Sequence, residues 1–168
     1  MPPSSRSRRS TPPTTPLPAS SEPRSGHSGR IAVEFRSPAW TAEARDRKRT
    51  FALLEDLGLV FVCVDAPAVS GLPRLFALTN PKLLMVRFHG RSDRTWNDTS
   101  GSAAERFRYL YRQRELSALA GKVAKAAAQA AETHLLMNNC YRDYAVRNAT
   151  QLRDLLARWG EVGTPPAG

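Results

Sequence analysis

Three short segments of this chain alternate in one pattern, and that pattern limits the architectures open to it. In 31–36 (IAVEFR), Ile31, Val33 and Phe35 share one face of an extended strand, and Ala32, Glu34 and Arg36 share the other. In 59–65 (LVFVCVD), Val60, Val62 and Val64 oppose Phe61, Cys63 and Asp65. In 83–90 (LLMVRFHG), Leu84, Val86 and Phe88 oppose Met85, Arg87 and His89. Each strand thus has one wholly apolar face and one that turns polar at its C-terminal end. A doubly wound sheet buries both faces under helices and wants both apolar. A barrel turns one face to its helices and the other to its interior, with its site at the C-terminal mouth. The pattern favours the barrel.

The segments between the strands complete a βα order. A helix is predicted over about 42–57, with Phe51, Leu54 and Leu57 at helical spacing and Gly58 as its stop. Residues 91–102 are polar and read as a long loop. A helix over about 113–131, a strand at 133–139 (THLLMNN) and a helix over about 145–159 follow. Asn148 reads as an N-cap of that last helix. At 168 residues the chain is too short for a complete eight-unit βα barrel, which needs about 250.

Residues 1–30 differ in composition from the rest. Seven Pro, eight Ser and three Thr make 18 of these 30 residues turn or disorder formers. Such a stretch buries too little apolar surface to offset its ordering entropy. A disordered tail (1–30), a folded region (31–160) and a frayed end (161–168) are therefore expected. Lys and Arg number 25 against 15 Asp and Glu, a formal net charge of +10. No run of 18 apolar residues occurs, so no membrane span is expected. Cys63 and Cys140 stand 77 positions apart without metal-ligand spacing, which fits a reducing, cytoplasmic setting.

VEFRSPAW (33–40), CVDAP (63–67), VRFHGR (86–91) and NNCYRDYAVRNATQL (138–152) together resemble the YecE-like family, domain of unknown function 72. Tyr109, Tyr111 and Glu115-Leu116 extend the resemblance, which covers about residues 31–158. It implies a TIM-like barrel without an established activity. Family members carry four more βα units before the VEFR strand, so the resemblance implies a partial barrel of about four βα units: a truncated member, or the C-terminal half of one, behind an unrelated leader. Where the family usually has Asp or Glu and then Pro after CVD, this chain has Ala66-Pro67.

The strand ends supply the candidate site. His89, Glu34 and Asp65 are the candidates for moving protons, since imidazole and paired carboxylates serve general acid/base work. Arg36, Arg87 and Arg91 are candidates for clamping a phosphate or carboxylate, whose geometry matches the guanidinium fork. Asn138 and Asn139 are candidate amide donors to the same ligand. The competing reading is that the arginines and carboxylates pair with one another. Trp96 in the polar loop would stack on a ligand or plug the mouth. One imidazole beside two carboxylates falls short of the donor sets of catalytic metal sites, so no metal and no cofactor is expected. The chemistry leaves three functions open: an enzyme or relic acting on an anionic small molecule, a non-catalytic nucleic-acid-binding protein drawing on the net charge, or an inactive fragment. Four strands cannot close a barrel of eight, so self-association or pairing with an N-terminal half is also expected.

Overall fold

The computed structural model describes residues 29–97, 105 and 107–161. The disordered-tail expectation for 1–28, the end beyond 161 and the part of the polar loop from 98 onward lie outside the described residues. Four strands, β1 (Ala32–Val33), β2 (Val60–Asp65), β3 (Leu84–Phe88) and β4 (Thr133–Met137), form one sheet in the order β1-β2-β3-β4. Every pairing is parallel. The sheet is open, so barrel closure within the described residues is not observed.

Helices α1 (Ala44–Asp56), a single turn α2 (Asp93–Trp96), α3 (Gln113–Ala127) and α4 (Tyr144–Glu161) lie among the described residues. α1 ends where expected, at Gly58, whose φ of 65° is one that a residue with a Cβ adopts only at a cost. Leu54 of α1, Leu116, Leu119, Ala120 and Val123 of α3, and Leu152 of α4 pack in one core with Phe61, Cys63, Leu84, Val86 and Phe88 of the sheet. Between β2 and β3 there is only a 3-10 turn at Ala68–Ser70, and 75–78 packs on that same core in place of a crossover helix. Cys63 Sγ donates to the Ala77 carbonyl there at 3.3 Å.

The pairing register corrects the expected alignment of faces. Val33 pairs with Phe61, Cys63 with Val86 and Asp65 with Phe88. Residues paired in register point the same way, so Phe61, Cys63 and Asp65 lie on the helix side. Val62 pairs with Met85 and Val64 with Arg87. The valine face of β2 therefore shares the opposite side with Glu34 and Arg87, and a small cluster of Val62, Val64 and Leu72 with Ala32 and Met85 covers it. β1 is also shorter than expected. Only Ala32 and Val33 find partners before Ser37, whose side chain caps the 3-10 turn Pro38–Trp40.

Candidate functional site

Strand parity and register divide the polar strand ends into two clusters, one on each side of the sheet. The first forms on the side away from the helices. Glu34, just past β1, accepts from Arg36 Nη1 at 2.7 Å, from Arg87 Nη1 at 2.5 Å and from His89 Nε2 at 3.1 Å. Arg87 also donates from Nη2 to Asn138 Oδ1 at 3.1 Å, and Asn138 Nδ2 meets His89 Nδ1 at 3.0 Å. The four side chains Glu34, Arg87, Asn138 and His89 thus close a ring. Arginine only donates, which fixes the Asn138 oxygen toward Arg87 and its NH2 toward His89. Nδ1 of His89 is then the acceptor, and the ring proton of the neutral tautomer sits on Nε2, aimed at Glu34.

Burial alone would push the Glu34 carboxyl up. Hydrogen bonds from His89, Arg36 and Arg87 outweigh it and hold the group at about 2, below its ordinary 4.5. A carboxylate depressed on folding contributes stability that is present above about 4.5 and is lost as pH falls through about 2. Glu34→Gln should therefore flatten the acid limb of the stability curve between these two values, by up to about one bound proton. Urea titrations at stepped pH measure this. Parallel acid limbs in wild type and variant would contradict it.

An aromatic wall stands over the ring of bonds. Trp96 of α2 lies 5.8 Å from the His89 ring and Phe107 lies 6.1 Å from it. The Arg36 guanidinium sits 5.4 Å from the Trp96 ring centroid. The Arg36 side chain is 55% exposed, against 12% for Glu34 and 1% for His89. Among the described residues, no three or more His, Cys, Asp or Glu are grouped to hold a metal ion.

The second cluster lies on the helix side. Asp65 is fully buried and takes a bidentate pair from Arg91, Nε to Oδ2 and Nη2 to Oδ1, both at 2.8 Å. Tyr111 donates its hydroxyl to Asp65 Oδ2 at 2.7 Å and accepts from the Gly90 amide at 2.9 Å. Burial first, then the neighbouring Asp65, pushes the Tyr111 phenol well above its ordinary 10. Arg91 reaches Glu115 at 3.4 Å, and Tyr109 donates to Glu115 at 2.7 Å. The Tyr109 phenol is pushed up to about 12 by burial and by Glu115.

The expected convergence of Glu34, Arg36, Asp65, Arg87 and His89 on one face is thus corrected. Glu34, Arg36, Arg87 and His89 meet and Asn138 joins them, but Asp65 and Arg91 belong to the helix-side cluster. Asn139 leaves its neighbour as well. It is buried and donates to the Tyr109 carbonyl and to Asn148 Oδ1, both at 2.8 Å. Asn148 is not an N-cap. It lies inside α4, fully buried, and holds both the amide and the carbonyl of Tyr111. Sequence reasoning missed Tyr111, Asn148 and Phe107 as parts of the strand-end architecture. The run Tyr109–Tyr111 followed by Glu115 was the available signal, since phenols near an acid need buried partners.

The comparisons with known proteins agree with the family resemblance. The family model described as "Protein of unknown function DUF72" matches residues 9–167. The UPF0759 protein YunF of Bacillus subtilis is 28% identical over 130 residues, covering 74% of this chain and 46% of that protein. The crystal structure of a DUF72 family protein, TM1631 from Thermotoga maritima, superposes with a TM-score of 0.69 at 34% identity, covering 78% of this chain and 47% of that one. The DUF72 family protein EF0366 from Enterococcus faecalis gives a TM-score of 0.70 at 30% identity, covering 76% and 47%. The chain spans about half the length of these relatives. Among the described residues no helix is long and apolar enough to cross a membrane.

Proposed function

The chain belongs to the DUF72 family of proteins of unknown function, and from that premise we propose that its first strand-end cluster binds a small anion, a phosphate or carboxylate group carried by a ligand with a flat ring. The observation that carries this reading is a charge imbalance. Arg36 and Arg87 share one carboxylate, Glu34. On the helix side, Arg91 and Arg74 stand against Asp65 and Glu115, two charges against two. Among the described residues the surplus cation therefore lies at the open cluster, and its freer member, Arg36, is more than half exposed. A guanidinium fork offers an anion two parallel donors. Trp96 beside it offers a ring face.

In this reading Arg36 and Arg87 bind the anion and Asn138 orients Arg87. His89 and Glu34 are positioning groups, because the Nε2 proton of His89 is directed to Glu34. Asp65, Arg91 and Asn139 hold the loops that carry the site. The strand order supports a further part of the reading, that the sheet is a segment of a TIM-like barrel. Consecutive parallel strands that advance in one direction, joined by right-handed crossovers, put every crossover on one face. The other face is then an interior, and the anion site is its C-terminal mouth.

Inorganic phosphate is the probe. Phosphate should raise the thermal midpoint of the wild-type chain, equivalent to roughly 1–3 kcal/mol near saturation. Arg36→Ala should abolish the rise, while Arg49→Ala on the exposed side of α1 should keep it. Equal stabilisation of all three proteins would place the anion on the general basic surface and overturn the reading.

A further inference from the structure

We propose that the two edges of the sheet bind each other between chains, so that two copies of this chain close one eight-stranded parallel barrel. The proposal rests on the barrel reading but not on the anion site, and the two fail in different measurements.

The edges differ in shape. At one, β4 is paired, among the described residues, on the β3 side only. β3, flanked on both sides, buries Leu84, Val86 and Phe88 completely, whereas no residue of β4 is buried. Thr133, Leu135 and Met137 instead line an apolar groove of about 340 Å³ with Ala149, Leu152 and Leu156 of α4. At the other edge apolar side chains protrude. Ile31 just before β1, Trp40 in the 3-10 turn, Leu53 on α1 and Leu57 just past its end are 47–65% exposed. Groove and ridge lie on the same side of the sheet. Leu135 and Met137 pair in register with Val86 and Phe88, and Ile31 shares the parity of Val33.

A ridge at one edge and a groove at the other make a head-to-tail contact, which closes into a ring when the rotation allows. Two copies related by an axis along the strands satisfy both contacts at once. Each new pair, β4 of one copy beside β1 of the other, keeps the parallel direction of every pair within the chain. The described strands of the two copies then number eight, the number at which side chains fill a barrel interior. A β4-to-β4 contact would instead be antiparallel and would leave both ridges exposed. Closure also covers the backbone left unpaired at both edges among the described residues, which otherwise invites unspecific pairing.

The test uses the full 168-residue chain in sedimentation velocity and hydrogen exchange at micromolar concentration, with and without phosphate. The expected result is a dimer in both conditions, with amides of 31–33 and 133–137 protected in step with concentration. Leu53→Glu with Leu57→Glu, both on exposed positions, should weaken the dimer at least about tenfold and deprotect both edges. Lys48→Glu, exposed on the same helix, should leave it unchanged. A monomer would overturn the proposal. So would protection at β4 alone, open-ended polymers, or edge protection independent of concentration, which would mean that another segment of the same chain covers the edges. A dimer that persists in Arg36→Ala separates this result from the fate of the anion site.

Discussion

Replacing Asp65 with alanine should lower folding stability by about 3–5 kcal/mol, the range for breaking a buried ion pair from one side. Asp65 is wholly shielded from solvent and receives both arms of Arg91 and the Tyr111 hydroxyl. Its removal leaves the buried Tyr111 phenol without its acceptor and strips both short bonds from Arg91, whose guanidinium keeps only the longer contact to Glu115 at 3.4 Å. Each such orphan costs about 1–3 kcal/mol or more. Asp65→Asn should lose less, because its amide oxygen can still accept from Tyr111 and Arg91 Nε, although the charge is gone and the amide NH2 no longer accepts from Arg91 Nη2. Urea unfolding of the two variants checks the order. Asp154→Ala is the control, since that carboxylate pairs with Arg153 on the surface, where such pairs contribute about 0–1 kcal/mol. An Asp65→Ala loss no larger than the control's would mean that the cluster relaxes into solvent and holds nothing.

Asp65 also marks where the sequence stopped being legible. Period-2 alternation correctly divides each strand into two faces, and it places Glu34, Arg87 and His89 together because β1 and β3 carry clear apolar and polar sides. It says nothing about which face of one strand meets which face of the next. A shift of one residue in register inverts the answer. β2 is the strand most exposed to that error. All six of its residues are buried, so both its faces are apolar until Asp65. Asn138 and Asn139 show the same limit at β4, where adjacent amides serve opposite sides of the sheet. Asn148 shows another. Its role as the partner of the Tyr111 backbone is a contact across 37 positions, and no local signal encodes it. The βα order, the helix stop at Gly58 and the motifs that tie the chain to its family were readable because each depends on residues close in sequence.

Gly90 should be the other position where a single methyl group has a large effect. It sits between His89 of the open cluster and Arg91 of the buried one, and its backbone φ is 88°. A Cβ there would lie 2.6 Å from Tyr109 Cβ and 3.3 Å from Tyr109 Cγ. A left-handed φ costs an L-residue about 1–2 kcal/mol, and forcing atoms into packed space costs about 1–3 more. Gly90→Ala should therefore cost about 2–5 kcal/mol. Gly58→Ala separates the two contributions. Its φ is 65° but nothing lies within 4 Å of the added Cβ, so it should show only the backbone cost. The excess at Gly90 has a second readout. Moving Tyr109 away from the new methyl draws its phenol off Glu115, which helps hold it at about 12, so its ionisation should shift down toward 10 in an ultraviolet alkaline titration. Equal losses for the two glycine variants, with the Tyr109 titration unchanged, would show that the Tyr109 stretch yields freely and that the close approach at Gly90 does not fix the strand ends.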